Sequence, residues 1–384
     1  MMTTKKTILA ESKRETLVRN LCDFAIKGLI PMLYPEKSIF CERIRKAENG
    51  IVCEGESFRY TIITLLGLKR YEQYFTLSPI PIIHIFNKML NRISTIKNAG
   101  DAGLFLWLTA MVEPDKLIEI NNILDIANTW PSYQDAAKGL TTELSWLLTG
   151  ICYTIEKEGK ALAMLNDTAV EVFKRIKNNY SKKGLFGHQS GKTIGGAIRG
   201  NIGCFADQVY PIYALAKFSE THDEKEALTM ARQCSQAICE LQGAYGQWWW
   251  HYDVTNGKVA GRYPVFSVHQ EGMAPMALIA ASEKTGENYE TCIYKGIDWI
   301  TGKNELGIDF RDDKRNVIWR NLHRPKWKQR QELLSAMIGM DTIKKDAKDL
   351  EILYECRPYN FGWLLYALAE KSGKFRPMIT DTQT

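Results

Sequence analysis

One kind of segment returns six times along the chain and limits the possible folds more than any other feature. Each copy starts with glycine or polar residues, continues with a carboxylate or amide, and then runs through about twelve apolar residues rich in Leu, Ala, Trp and Tyr. The side chains at the start of the copies are Glu56, Asp101, Glu143, Asp207, Glu271 and Asn360. Helices that are apolar all round need packing partners on every side, so these six segments predict an inner layer of helices.

A second set of segments lies between the copies. Their apolar residues recur at i, i+3, i+4 and i+7, and their polar faces are rich in Lys, Glu and Arg, as expected of amphipathic outer helices. They cover 115–126, 161–179, 223–241 and 287–300, with 14–34 as a candidate for the first hairpin. Six inner helices alternating with outer ones predict an all-α fold, an (α/α)6 toroid of six helical hairpins with long loops at one mouth.

The length of the chain fits one such toroid. Its 384 residues are more than twice the usual ~150 for one domain, which a closed double ring over 1–384 explains. We expect a helical lead-in over 1–50 and a polar, basic insertion at 303–345 between the fifth and sixth hairpins. An open α-solenoid that binds another protein is the alternative. The intervals of 45, 42, 64, 64 and 89 residues between copies favour the toroid, because solenoid repeats keep a nearly constant period.

Composition excludes several classes of protein. With 45% hydrophobic and 24% charged residues, the chain is neither disordered nor collagenous. Its net charge of +6 is scattered, so no nucleic-acid partner is expected. Nine cysteines without a CxxC pair predict reduced, buried thiols, and no metal or cofactor is expected.

The charged N-terminus and the lack of a run of ~20 apolar residues argue against a signal peptide and a transmembrane segment, so the expected location is cytoplasmic.

A short motif carries a family resemblance. Residues 242–248 read QGAYGQW, which matches the QxxxGxW core of the repeat in squalene–hopene cyclases, related terpenoid cyclases and protein prenyltransferases. The chain therefore resembles these α/α-toroid proteins, in which the glutamine caps a helix, stacks on the tryptophan and ties neighbouring hairpins together. Similar turns occur in α/α-barrel polysaccharide lyases and hydrolases, so the resemblance implies an architecture.

The catalytic motifs of that family are missing. The string nearest to the DxDD of terpene cyclases is DFRDD at 309–313, which has the wrong spacing. The Asp-x-Cys pair that helps to hold zinc in protein prenyltransferases does not occur. The resemblance therefore stops at the scaffold.

The inner-helix N-termini should converge at one mouth, where their free N–H groups and dipoles favour anions. Each acid at such a position is also an ordinary helix cap or first-turn partner, but five acids at equivalent positions favour a site. The candidate substrate-binding residues of this ring are Glu56, Arg59, Tyr60, Asp101, Glu143, Gln208, Tyr210, Gln270, Tyr359 and Asn360.

Crowded carboxylates have their pKa values pushed apart, leaving one as an acid and another as a base. The catalytic candidates are Asp207 and Glu271, with His269 as polariser or proton shuttle. The aromatic run 248–252 offers Trp248 and Trp249 as platforms for a sugar ring or a carbocation. Alternatively, this run locks the toroid together.

Two further segments have open interpretations. Residues 187–193 miss the P-loop spacing by one residue, so 184–203 is expected to be a rim loop in which Lys192 and Arg199 can meet an anion. The basic run 311–330 is expected to be a solvated insertion or a cationic flap that recruits a diphosphate or uronate.

The pattern predicts a carbohydrate-active toroid enzyme, a hydrolase, lyase or epimerase using carboxylates on a small-molecule or oligosaccharide substrate. A terpenoid-cyclase-like enzyme that protonates an isoprenoid and a non-catalytic binding toroid are the alternatives. A cyclase cavity must be dry around one acid, whereas a sugar site is wet and holds several acids.

Overall fold

The computed structural model describes residues 2–75, 77–190, 200–337 and 349–373. Most of these residues are helical. The helices are α1 (Met2–Leu29), α2 (Phe58–Tyr74), α3 (Ile82–Leu90), α4 (Ala99–Val112), α5 (Leu117–Leu124), α6 (Ile126–Thr129), α7 (Gln134–Lys138), α8 (Thr141–Glu158), α9 (Met164–Lys177), α10 (Ala206–His222), α11 (Lys225–Glu240), α12 (Ala274–Thr285), α13 (Glu290–Ile300), α14 (Lys326–Met337) and α15 (Pro358–Gly373).

Six of these helices form a closed inner ring, and they are the six apolar segments of the sequence. In ring order they are α2, α4, α8, α10, α12 and α15, and α15 packs back against α2. The outer helices α1, α3, α5, α9, α11 and α13 lie beside them, for example α1 on α15 and α9 on α8. The predicted (α/α)6 toroid is therefore confirmed.

Side-chain caps fix where several inner helices begin. The Ser57 hydroxyl accepts a hydrogen bond from the Tyr60 N–H at 3.2 Å, and Asn98 Oδ1 accepts one from the Asp101 N–H at 2.9 Å. Such caps satisfy helix N–H groups that have no partner within the helix. They leave the first-turn side chains Arg59 and Asp101 available for other contacts.

Glycines let neighbouring inner helices approach backbone to backbone. A Cβ on Gly67 would lie 2.1 Å from the Gly362 carbonyl oxygen, and one on Gly150 would lie 2.0 Å from the Gly103 oxygen. Any side chain at these positions would force the α2–α15 or the α4–α8 contact apart. The two glycine pairs therefore set the spacing of the ring.

Aromatic side chains fill the centre of the ring. The Trp107 ring centroid lies 5.4 Å from that of Tyr153, 5.2 Å from Tyr213 and 5.1 Å from Tyr366. The three tyrosine hydroxyls form a triangle with O···O distances of 2.8, 3.0 and 2.7 Å. Because every hydroxyl can donate one hydrogen bond and accept one, this triangle satisfies polar atoms in the core. We call these four residues the aromatic plug.

Short strands occupy the loops that lead into the inner helices. They are β1 (Leu33–Tyr34), β2 (Ile39–Phe40), β3 (Arg43–Ala47), β4 (Gly50–Glu54), β5 (Ile202–Cys204), β6 (His251–Asp253), β7 (Lys258–Gly261), β8 (Val265–Phe266), β9 (Arg311–Asp312), β10 (Val317–Ile318), β11 (Asn321–His323), β12 (Glu351–Leu353) and β13 (Glu355–Cys356). They form two antiparallel pairs, β1–β2 and β9–β10, and three-stranded sheets in the orders β13-β3-β4, β12-β11-β8 and β5-β6-β7. These sheets lie before inner helices, so the elaborated loops are at the helix N-termini.

Two of the predicted segments differ from the structure. The expectation of a helical lead-in over 1–50 is wrong beyond Leu29, because 33–54 contains strands that pair with each other and with β13. The insertion 303–345 contains β9, β10, β11 and α14, and its end at 338–345 lies outside the described residues. So do Lys192 and Arg199 of the proposed rim loop.

The QxxxGxW motif acts in the scaffold. Gln242 Nε2 donates to the Gly246 carbonyl at 3.0 Å and to the Cys292 carbonyl of α13 at 2.9 Å. The glutamine thus ties the turn after α11 to the next outer helix. Within the described residues, no helix combines the length and apolar character needed to cross a bilayer.

Candidate active site

A cavity of about 200 Å³ opens at the mouth formed by the N-termini of the inner helices, and we call it the helix-start cavity. Both charged and aromatic side chains line it. The lining residues are Arg59, Tyr60, Ile63, Thr142, Trp146, Ala206, Tyr210, Trp250, Phe266, His269, Met273, Arg320 and Tyr359.

Two carboxylates share one guanidinium at the edge of this cavity. Arg59 Nε donates to Asp101 Oδ1 at 2.5 Å, and Arg59 Nη1 lies 3.4 Å from Glu143 Oε1. The guanidinium also lies over the Trp146 ring, 5.0 Å from its centroid. These residues occupy the first turns of α2, α4 and α8, where the ring brings three helix starts together. The acids at the second and third helix starts are therefore neighbours, as the sequence predicts.

The two charges around Glu143 act in opposite directions on its protonation. Burial raises the pKa of Glu143 to about 7, Arg59 opposes this rise, and Asp101 adds to it. The side chain is 13% exposed, so it still reaches solvent. A carboxyl group with such a pKa is partly protonated at neutral pH and can donate a proton.

A second guanidinium reaches the cavity from the insertion. Arg320 lies over the Phe266 ring, 5.0 Å from its centroid, and pairs with Glu355 at 3.2 Å. Its side chain is only 13% exposed. The expectation that the basic run is a solvated insertion is wrong for Arg320, because β11 of that run pairs with β8 beside the cavity.

Aromatic rings form the remaining walls. The Tyr60 and Tyr359 rings lie 4.5 Å apart, and Arg357 donates to the Tyr60 hydroxyl at 2.6 Å. Tyr210 meets the Trp146 ring edge to face at 4.9 Å. Rings held in this way offer apolar faces beside polar groups, an arrangement suited to ligands that have both.

His269 lies in the cavity wall as a neutral imidazole. It is parallel to the Trp250 ring at 5.8 Å, and burial among such rings lowers the pKa of His269 to about 3. It sits in a single π-helical turn, His269–Met273, that precedes α12. A π-turn re-aims side chains at a helix start and is frequent at functional sites.

Asp207 is not exposed to the cavity. It is completely buried, and its oxygens accept hydrogen bonds from the Thr142 hydroxyl at 2.9 Å and the Cys204 N–H at 2.8 Å. His188 Nδ1 lies 3.0 Å from Asp207 Oδ2. With its oxygens engaged and no exposed surface, Asp207 is a poor candidate for acid–base contact with a substrate.

Glu271 is also outside the lining. It is completely buried, neither oxygen has a hydrogen-bond partner among the described residues, and burial raises the pKa of its carboxyl well above the usual range. The predicted pairing of Asp207 with Glu271 is therefore revised, because burial removes both from the cavity.

Four further candidates also serve the scaffold. Gln208 bonds to the backbone of Phe186 in both directions, at 2.9 and 2.8 Å, and Gln270 donates to the Phe266 carbonyl at 3.2 Å. Asn360 is buried and lies 3.3 Å from the Ser267 hydroxyl. Glu56 is exposed and pairs with Lys37 at the surface.

The aromatic run divides between scaffold and cavity. Trp248 is completely buried and stacks on Phe205 at 5.5 Å, and Trp249 packs edge to face on Tyr263 at 6.1 Å. Trp250 is the member that lines the cavity, so the platform moves from Trp248 and Trp249 to Trp250.

Sequence reasoning missed several lining residues. Trp146 and Thr142 flank Glu143 on α8, and their positions in the first turns of an inner helix could have identified them. Arg320 belongs to the basic run 311–330, for which a cationic flap is one of the two predictions, and the pairing of β11 with β8 brings it to the cavity.

Solved structures share this fold over nearly their whole length. An unsaturated glucuronyl hydrolase specific for heparin matches with a TM-score of 0.60 at 13% identity, covering 93% of this chain and 97% of that one. A family 88 glycosyl hydrolase from Bacteroides vulgatus gives 0.60 at 11%, covering 92% and 99%. The unsaturated glucuronyl hydrolase from Streptococcus agalactiae gives 0.59 at 11%, covering 92% and 91%.

No protein-family model and no curated protein matches this chain in sequence. At such low identity, the structural likeness establishes the α/α-toroid fold alone. The three proteins are glycoside hydrolases, whereas the QxxxGxW motif resembles terpenoid cyclases. The assignment to the terpenoid-cyclase type therefore gains no support from them, and the activity has to be argued from the cavity.

Proposed function

We propose that this protein is a glycoside hydrolase that cleaves an oligosaccharide next to an acidic sugar, with Glu143 as its general acid. The observation that carries the proposal is the pairing of Glu143 and Asp101 with Arg59 of the cavity wall, where burial also raises the pKa of Glu143 to about 7. A proton donor with this pKa is matched to catalysis near neutral pH.

Asp101 is the second carboxylate of the proposed mechanism. Its hydrogen bond to Arg59 fixes the guanidinium between the two acids. Glycoside hydrolysis uses a pair of carboxyl groups, one that protonates and one that activates water or stabilises the cationic transition state. Glu143 and Asp101 both contact Arg59, a residue of the cavity wall, and unlike Asp207 and Glu271 they keep some exposed surface, so they replace those two residues in these roles.

The charge of the walls favours an anionic sugar. Arg59 and Arg320 both line the cavity, and a guanidinium binds a carboxylate with directional, charge-assisted hydrogen bonds. Trp250, Tyr60 and Tyr359 offer ring faces for the sugar C–H groups. Two of the solved structures with this fold are unsaturated glucuronyl hydrolases, which agrees with an acidic sugar. An isoprenoid would leave both guanidinium groups desolvated without a partner from the substrate.

His269 completes the proposed site as a neutral group. Because its pKa is lowered to about 3, the imidazole stays uncharged at neutral pH. One of its nitrogens bonds to the backbone of Trp248, and Nδ1 is left to accept a hydrogen bond from a sugar hydroxyl. This role replaces the proton shuttle, which would need a pKa near the working pH.

A matched pair of substrates tests the proposal. The protein is incubated with an unsaturated glucuronyl disaccharide and with the same disaccharide reduced to a neutral sugar at the carboxyl carbon, and release of the second sugar is followed by chromatography. We expect cleavage of the acidic compound and at least a tenfold lower rate for the neutral one. Equal rates, or cleavage of neither compound across pH 5 to 8 while the protein remains folded, would contradict the proposal.

A further inference from the structure

Behind the wall of the helix-start cavity, three different metal-binding side chains converge. One donor atom each of His188, Cys204 and Asp207 lies within 4.8 Å of the other two. His188 precedes β5 in the chain, Cys204 is the last residue of β5, and Asp207 is in the first turn of α10. We propose that His188, Cys204 and Asp207 bind a zinc ion. This inference is independent of the proposed hydrolase activity.

The spacing of the donor atoms is close to that of a zinc site. Zinc holds nitrogen and oxygen ligands at about 2.0–2.2 Å in a tetrahedron, which places two such ligand atoms roughly 3.3 Å apart. His188 Nδ1 and Asp207 Oδ2 are already 3.0 Å apart, and the Cys204 sulfur lies within 4.8 Å of both donor groups. The spacing of the imidazole and the carboxylate is therefore already close to that of a zinc site.

The carboxylate is held in place by groups that do not bind the metal. The Thr142 hydroxyl donates to Asp207 Oδ1 at 2.9 Å, and the Cys204 N–H donates to Oδ2 at 2.8 Å. Metal ligands are commonly oriented by such neighbouring hydrogen bonds. Full burial of Asp207 adds to this fixation. The carboxylate is thus pre-oriented, and Thr142 links the site to the wall of the cavity.

The donor set selects the kind of ion. A thiolate, an imidazole and a carboxylate suit zinc, whereas magnesium and calcium prefer oxygen ligands alone. The two anionic ligands balance the charge of a divalent ion. Three protein ligands leave a fourth position, which water can occupy. The site could not be predicted from the sequence, because its ligands lack the paired-cysteine spacing of common zinc motifs.

Binding releases one proton and breaks one hydrogen bond. Zinc displaces the proton of the Cys204 thiol to solvent as the zinc–sulfur bond forms. His188 binds zinc through Nδ1, so its proton must be on Nε2. The hydrogen bond between His188 and Asp207 is then replaced by one bond from each residue to the ion. Zinc then links His188 and Cys204 to the start of α10. The melting temperature of the protein should therefore be higher when zinc is bound.

Metal analysis of the purified, full-length protein tests the inference. The protein is stripped with a chelator, dialysed against zinc sulfate and analysed by mass spectrometry for metal. We expect an equimolar amount of zinc in the wild type and in Cys152→Ala, a matched control that removes another buried thiol outside the cluster. Cys204→Ala and His188→Gln should lower zinc affinity by at least about tenfold.

Cobalt binding to the wild type provides a second measurement that depends on no variant. Replacement of zinc by Co²⁺ should give a thiolate-to-cobalt charge-transfer band in the near ultraviolet together with tetrahedral visible bands. Substoichiometric zinc in the wild type, equal affinity in Cys204→Ala, or a cobalt spectrum without the thiolate band would overturn the inference. Metal content, zinc affinity and the cobalt spectrum are measured without substrate turnover. A negative result would therefore overturn the zinc site without bearing on the proposed hydrolase activity.

Discussion

The two mouths of the toroid are built from the same six helices and both pair their cations with carboxylates, but they differ in how deeply those carboxylates are buried. At the mouth opposite the helix-start cavity, a second cavity of about 150 Å³ is lined by the C-terminal halves of inner helices. Its cations have nearby carboxylates of their own. These pairs are Arg70 with Glu370 at 2.5 Å, Lys217 with Glu156 at 2.6 Å, and Lys284 with Glu220 at 2.6 Å.

A glutamate at each mouth illustrates the difference. The hydrogen bond from Lys284 lowers the pKa of Glu220, whereas burial raises the pKa of Glu143 to about 7. Glu220 is 44% exposed and Glu143 13%. The same residue type is therefore kept ionised at one mouth and is able to hold a proton at the other. Three residues of the aromatic plug, Tyr153, Tyr213 and Tyr366, line the second cavity, and none lines the helix-start cavity.

The largest expected effect comes from exchanging each of these glutamates for glutamine. Glu143→Gln keeps the shape and removes the proton donor, so kcat on the acidic disaccharide should fall by about 10²- to 10⁴-fold. Glu220→Gln, the matched change at the other mouth, should leave kcat within about twofold, because a surface pair contributes little. The melting temperature of both variants serves as the control for folding. Equal kcat values for the two variants would remove Glu143 from the mechanism.

The pH profile of kcat/KM gives the next effect. The general acid must be protonated, so the rate should fall about tenfold per pH unit above the Glu143 pKa of about 7. Arg59 lowers this pKa, so Arg59→Met should move the alkaline limb to higher pH, even though it also weakens binding. An alkaline limb that stays in place in Arg59→Met would assign it to another group.

The sequence predicts the architecture better than it predicts the site. Long apolar runs such as 102–111 predict inner helices, because only a helix surrounded by other helices can bury apolar side chains on all its faces. The positions of Asp101 and Glu143 at the helix starts follow from this arrangement. Strands of two to five residues, such as β8 and β11, are too short for a periodic signal, so the position of Arg320 could not be predicted. The protonation of Glu143 also depends on burial, which the pattern does not give.

The hydroxyl triangle of the aromatic plug allows a test of what the centre of the ring contributes to stability. Tyr213→Phe removes one hydroxyl of the triangle and leaves the hydroxyls of Tyr153 and Tyr366 with one partner fewer. Chemical denaturation should give a loss of about 1–3 kcal/mol in the free energy of unfolding. Tyr245→Phe, at a side chain that is 53% exposed, should change it by less than about 0.5 kcal/mol. Identical values for the two variants would mean that the triangle contributes nothing.

The smallest expected effect belongs to the charges of the opposite mouth. Lys284→Met removes the cation that lowers the pKa of Glu220, and the loss in unfolding free energy at pH 7 should stay below about 1 kcal/mol. A lowered pKa contributes stability above the unfolded value of 4.5, and this contribution is lost as the pH falls through the lower folded value. The difference between wild type and variant should therefore shrink in acid and in high salt. A difference that grows in acid would contradict this sign.

The contact between Gly67 and Gly362 has a consequence for biosynthesis. These two residues are separated by 295 positions in sequence, yet their backbones touch. A ribosome has to synthesise the 295 residues that follow Gly67 before this contact can form, so the face of α2 that packs on α15 stays uncovered in the nascent protein. Proteins truncated before Pro358 lack α15, and we expect them to be insoluble and to remain bound to chaperones.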